Sequence, residues 1–72
     1  MDSFNPAEFI GEQVIIELSN GRKFSGNLNS VDNLSNLVLE SCRDINSPNS
    51  SNRMLGLSII KGTSVATIYP SK

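Results

Sequence analysis

The sequence predicts an all-β fold, a short N-terminal helix followed by five short strands in one strongly bent antiparallel sheet, an open small barrel. Three observations predict it. Apolar residues alternate with a period of two from Gln13 onward, a Ser-Asn-Gly-Arg turn at 19–22 joins two such runs, and single glycines interrupt two strands at Gly26 and Gly56. With 72 residues, 38% of them hydrophobic, the chain has material for one core and for one domain spanning 1–72. A core this small often completes its burial against a partner, which favours a subunit of an assembly.

The elements follow in order. A helix is expected over about residues 5–11, with Asn5 at the N-cap, Pro6 at the first helical position and Glu8 at the third. Phe4 and Phe9 occupy the positions of a hydrophobic staple, and Gly11 provides a left-handed stop. The first strand, 13–18, sets Val14, Ile16 and Leu18 against Gln13, Ile15 and Glu17. Asn20-Gly21 is the strongest short hairpin signal and predicts a type I′ turn, with both residues at positive φ. The return strand, 23–31, carries Phe24, Gly26 and Leu28 on one face, and Gly26 marks a bend or a close backbone approach. After a turn at Asp32-Asn33, a third strand over 36–43 brings Leu37, Val38, Leu39 and Cys42. Residues 44–53 are polar and turn-forming and are expected as a surface loop. A fourth strand covers 54–60 and a fifth 64–69, ended by Pro70. Lys61-Gly62-Thr63 is too short to make these last two a simple hairpin, so they should diverge and leave open edges. An exposed apolar edge invites another chain to pair with it.

Composition narrows the function. The formal charge is −1, and the six basic residues are scattered rather than gathered into the basic patch of a lone nucleic-acid binder. A ring that repeats one Lys around a pore would still build such a patch. The single Cys42 reads as a small apolar filler in a strand and suits a reducing compartment. The chain contains no histidine, and its sequence shows no metal-ligand spacing, nucleophile arrangement or phosphate loop, so no catalytic, metal or cofactor residues are expected. No signal peptide and no membrane span are expected either.

Two stretches carry a resemblance. Gly21-Arg22-Lys23-Phe24-Ser25-Gly26-Asn27-Leu28 through Val31-Asp32-Asn33-Leu34-Ser35-Asn36-Leu37-Val38-Leu39 resembles the first signature of the Sm and Sm-like (LSm) family. Leu55-Gly56-Leu57-Ser58-Ile59-Ile60-Lys61-Gly62, with Val65 and Ile68, resembles the second. The resemblance implies the Sm fold. Most such proteins form rings of six or seven subunits that hold uridine-rich single-stranded RNA. Carried over by position, Asp32 would brace the site, Leu34 would meet the base face, Asn36 would read the base edge, and Lys61 before Gly62 would cover the other side.

Leu34 lacks the aromatic face on which a base stacks, a contribution of about 1–3 kcal/mol per base. Lys61 keeps a charge without the planar guanidinium fork. Asp32 and Asn36 equally fit a turn in which the side chains bond their own backbone. Glu8-Phe9-Ile10-Gly11, Val31-Asp32 and Ser51-Asn52-Arg53-Met54-Leu55-Gly56-Leu57 look like the small Sm-like auxiliary subunits of the NatC N-terminal acetyltransferase. That likeness implies a non-catalytic cytoplasmic subunit that binds the large scaffold subunit. A separate catalytic subunit would use acetyl-CoA on proteins beginning with Met and a bulky hydrophobic residue. Strand edges and apolar faces at Leu55, Leu57, Ile59, Val65, Ile68 and Phe9 would then form the protein interface. The alternative is a ring subunit, cytoplasmic or nuclear, with other Sm-like subunits and RNA as partners and Asp32, Leu34, Asn36, Lys61 and Gly62 toward the RNA.

Overall fold

The computed structural model describes residues 5–45 and 53–71. Five strands, β1 (Gln13–Leu18), β2 (Lys23–Val31), β3 (Leu37–Asp44), β4 (Arg53–Ile60) and β5 (Val65–Pro70), form one sheet in the order β4-β3-β2-β1-β5. Every neighbouring pair is antiparallel. The sheet does not close: β4 and β5, although consecutive, lie at opposite edges and are joined by a 3-10 turn, Gly62–Ser64.

The alternation in the sequence selects the buried face. Val14 and Ile16 of β1, Leu28 of β2, Leu37, Leu39 and Cys42 of β3 and Ile60 of β4 form the core. Phe9, Leu18, Phe24, Val31, Val65 and Ile68 pack around it, partly buried. Each fully buried aliphatic side chain contributes about 1.5–3 kcal/mol as an upper estimate. The bend is built where the register slips. Between Ser25 and Asn27 the β2–β3 pairing jumps from Arg43 to Glu40, and Ser41 takes a left-handed φ of 53°. A Cβ on Gly26 would lie 3.1 Å from the Glu40 carbonyl oxygen and 3.2 Å from the Cys42 Cα, so glycine is what lets β2 approach the bulge.

Four local expectations are corrected. The helix expected over 5–11 is a single 3-10 turn, Pro6–Phe9, and Asn5 makes no side-chain cap bond. The backbone beyond it is claimed by the sheet: Gly11 N–H donates to the Leu28 carbonyl and Leu28 N–H donates to that of Glu12. Four residues cannot repay helix nucleation. Phe4, and with it the staple, lies outside the described residues.

The β1–β2 connection is not a type I′ turn, because Asn20 is not at positive φ. Gly21 N–H closes a turn onto the Leu18 carbonyl and Gly21 alone takes φ 92°, the pattern of a turn followed by a left-handed glycine. The Asn20 side chain instead accepts the Arg22 backbone N–H.

At the other end of the chain, Ser64 belongs to the turn and Pro70 is the last residue of β5 rather than its terminator. Ser71 N–H donates to the Gln13 carbonyl, so by strand alternation the Pro70 nitrogen faces the free edge, where no donor is needed. Of the loop expected over 44–53, Asp44 and Arg53 are paired ends of β3 and β4, and residues 46–52 lie outside the described residues.

Candidate functional site

The signature residues of the sequence converge on one corner. Asp32 leaves β2 into a tight loop whose backbone closes on itself, with Asp32 N–H to the Asn36 carbonyl and Ser35 N–H to the Asp32 carbonyl. The Asp32 carboxylate fills the loop from within. Its Oδ1 accepts the backbone N–H of Leu34 at 2.8 Å and of Asn36 at 2.9 Å, and its Oδ2 accepts Asn36 Nδ2 at 3.0 Å. These donors, the Asn36 backbone first, hold the carboxyl below its ordinary value of 3.8. With Nδ2 turned to the carboxylate, Asn36 Oδ1 faces the other way and accepts the Gly62 backbone N–H at 3.0 Å.

That bond ties the β2–β3 loop to the residue that opens the β4–β5 turn. Contact is close: a Cβ on Gly62 would fall 2.3 Å from the Ser35 carbonyl oxygen. Asp32, Asn36 and Gly62 thus form one bonded unit, with Leu34, 73% exposed, on the loop and exposed Lys61 next to Gly62. Asn36 retains one N–H and one oxygen lone pair for an outside group. The corner therefore combines a small hydrogen-bonding edge, an aliphatic side chain and a cation. Ser35, which sequence reading left without a role, holds the left-handed turn at φ 64° that brings its carbonyl onto Gly62.

The second set of candidates divides between the edges. On β4, the alternate residues Leu57 and Ile59 are 70% and 71% exposed, with Leu55 and Met54 exposed beside them. Ile60, Ser58 and Gly56 pair with the core residues Leu37, Leu39 and Cys42 and share their face, so the Leu57–Ile59 row stands on the opposite face of an unpaired edge. Val65, Ile68 and Phe9 are instead partly buried against the core and have less surface to offer. Tyr69 on β5 is exposed, and sequence reading did not single it out. Its place opposite Ile15 on β1 marks it as outward-facing only once the register is known.

Among the described residues no group of three or more His, Cys, Asp or Glu could hold a metal, and no pocket is present. Cys42 is fully buried, and burial pushes its thiol up, away from the reactive thiolate. No helix among the described residues is long and apolar enough to cross a membrane.

An open five-stranded sheet with this corner defines a class. A family model described as the LSM domain matches residues 6–70, and the chain belongs to that family. Among characterised relatives it is 45% identical over 38 residues to "U6 snRNA-associated Sm-like protein LSm6" of Botryotinia fuckeliana, a match covering 53% of this chain and 45% of that protein. It is 31% identical over an 85-position alignment to "Probable U6 snRNA-associated Sm-like protein LSm7" of Dictyostelium discoideum, covering 97% of this chain and 88% of the other.

Two solved structures extend the comparison. A chain in a crystal structure of the NatC complex bound to CoA superposes with a TM-score of 0.76 at 36% identity, covering 100% of this chain and 91% of that one. A heptameric archaeal Sm protein gives a TM-score of 0.76 at 32% identity, covering 90% and 93%.

Proposed function

We propose that this chain is a non-catalytic auxiliary subunit of a NatC-type N-terminal acetyltransferase. It binds the large scaffold subunit and stabilises a cytoplasmic complex that acetylates Met-hydrophobic N-termini. The observation that carries the reading is the row of Leu57 and Ile59, more than two-thirds exposed on an unpaired edge strand. A protein partner that adds a strand there satisfies the edge backbone and sets its own alternate side chains beside the row, which a surface laid over that face would bury. Two features support it: the likeness to a NatC chain runs the length of this chain, and Leu34 offers no ring for a base. Acetyl-CoA would belong to the separate catalytic subunit. Co-expression with the scaffold and catalytic subunits tests the reading. The expected result is a soluble ternary complex whose yield collapses when this chain is omitted, and a scaffold equally soluble without it counts against the reading.

A second reading is favoured by one observation, the intact Asp32–Asn36–Gly62 unit, in which the two bonds of the Asn36 amide leave half of its hydrogen-bonding capacity unused by that unit. Under it the chain is a ring subunit that meets uridine-rich RNA through Asp32, Leu34, Asn36, Lys61 and Gly62, with Sm-like siblings as partners. Its relatives named for U6 snRNA association support it. Oligo-uridine binding by a reconstituted ring, weakened by Asn36→Ala, is its expected signature.

A further inference from the structure

The corner between β4 and β5 is pinned at both ends. Gly62 at its start donates its N–H to Asn36 Oδ1 at 3.0 Å. Ser64 at its end offers one carbonyl oxygen to two donors of the β1–β2 hairpin, the Ser19 N–H at 2.9 Å and the Ser19 hydroxyl at 3.1 Å. Between these points the turn is closed by Ser64 N–H to the Lys61 carbonyl and Val65 N–H to the Gly62 carbonyl. The anchors lie far away in the chain, 26 residues from Gly62 and 45 from Ser64. They belong to the β2–β3 loop and the β1–β2 hairpin, beside Leu37 and Leu18, which pair with Ile60 of β4 and Val65 of β5.

β4 runs straight into this corner and β5 leaves it. The β1–β5 register also slips beside it, where Leu18 pairs with Val65 and Glu17 with Thr67. β4 and β5 are each held by a ladder to β3 and β1, do not pair with each other, and meet only through this corner of the chain.

We infer that Ser19 and Asn36 are positioning residues that clasp the β4–β5 corner and so set how the β4 edge is presented to a partner. The partner side of this statement rests on the docking reading above; the clasp itself does not. The two clasps act independently, because Asn36 holds the beginning of the turn and Ser19 its end. Each is a small polar side chain whose truncation to Ala leaves the core untouched.

Amide hydrogen exchange on the isolated full chain tests the clasp, with Ser19→Ala, Asn36→Ala, the double variant and Ser19→Thr, which keeps the hydroxyl. The expected result is exchange about five- to tenfold faster over residues 59–65 in Asn36→Ala, a smaller rise in Ser19→Ala and a larger one in the double variant. Ser19→Thr should match the wild type, and the amides of Val14–Ile16 should keep their rates in every variant. Unchanged exchange over 59–65, or the same acceleration at every amide, overturns the clasp. Binding to the purified scaffold subunit is measured alongside. Loss in the double variant supports presentation through the corner, and wild-type binding despite a loosened corner overturns it. A wild-type chain that binds no scaffold removes the docking reading alone, while the exchange result still decides the clasp.

Discussion

Gly62→Ala isolates the corner in a single atom. The added Cβ would sit 2.3 Å from the Ser35 carbonyl oxygen and 2.8 Å from its carbon, both backbone atoms that no rotamer change can move. Relieving the overlap requires a shift of about 1 Å between the β2–β3 loop and the β4–β5 turn, since carbon and oxygen normally stay more than about 3 Å apart. Such overpacking costs about 1–3 kcal/mol. The displaced turn also stretches the Gly62 N–H bond to Asn36, a further contribution of about 0.5–1.5 kcal/mol.

Together the expected loss is about 2–4 kcal/mol, against a total stability of roughly 4–11 kcal/mol for a chain of this length. At this size each kcal/mol moves the midpoint by about 4–8 °C, so the thermal transition should fall by about 10–30 °C. Urea and thermal unfolding followed by circular dichroism read both quantities. A variant within about 0.5 kcal/mol of wild type, the range of an ordinary surface substitution, would refute the close approach on which the corner depends.

Three further outcomes are expected. Leu39→Ala, at a fully buried position of β3, should cost about 2–5 kcal/mol, a large share of the stability expected at this length, as read by urea unfolding. The Asp32 carboxyl is depressed in the folded state, so its contribution is fully present above the ordinary value of 3.8 and is lost as pH falls through the lower folded value. The urea midpoint should therefore decline less steeply below that pH in Asp32→Asn than in wild type, and parallel profiles would contradict the carboxylate's bonds to Leu34 and Asn36. Leu57→Asp, on an exposed edge, should leave stability within about 0.5 kcal/mol by thermal unfolding while reducing scaffold binding at least tenfold.

The sheet was legible because its signals are local. Val14 and Ile16 read as buried from alternation alone, and Gly26 read as a point of close backbone approach, which its neighbours Glu40 and Cys42 now explain. The divergence of the last two strands followed from the shortness of the link between them, and they lie at opposite edges. What failed was decided by competition with the sheet. The Asn5-Pro6 signal for a helix lost to the bonds that Gly11 and Glu12 make with Leu28, and Asn20 gave its side chain to Arg22 rather than its backbone to a left-handed turn.

The candidate site was legible as residues and not as geometry. Asp32 and Asn36 sit four apart, and side chains that bond their own turn's backbone are what such residues predict; Asp32 does so with the Leu34 and Asn36 N–H groups, whereas Asn36 turns to the Asp32 side chain and to Gly62. The bond from Asn36 to Gly62 spans 26 residues and needs the topology to be seen. Ser35 and Ser41, at φ 64° and 53°, are ordinary serines in the sequence, and nothing in their neighbours marks them as left-handed. The exposed row at Leu57 and Ile59 likewise reads as alternation, while its place on an unpaired edge depends on where β4 docks.

The proposed role stands most directly on what this chain carries with it in the cell. Native mass spectrometry of the complex purified through the intact chain, beside the same purification with Leu57→Asp, measures that. The wild-type sample is expected to hold one copy of this chain with a large scaffold subunit and a catalytic acetyltransferase subunit, and the variant neither. A ring of six or seven Sm-like subunits holding RNA, with no acetyltransferase subunit present, would contradict it.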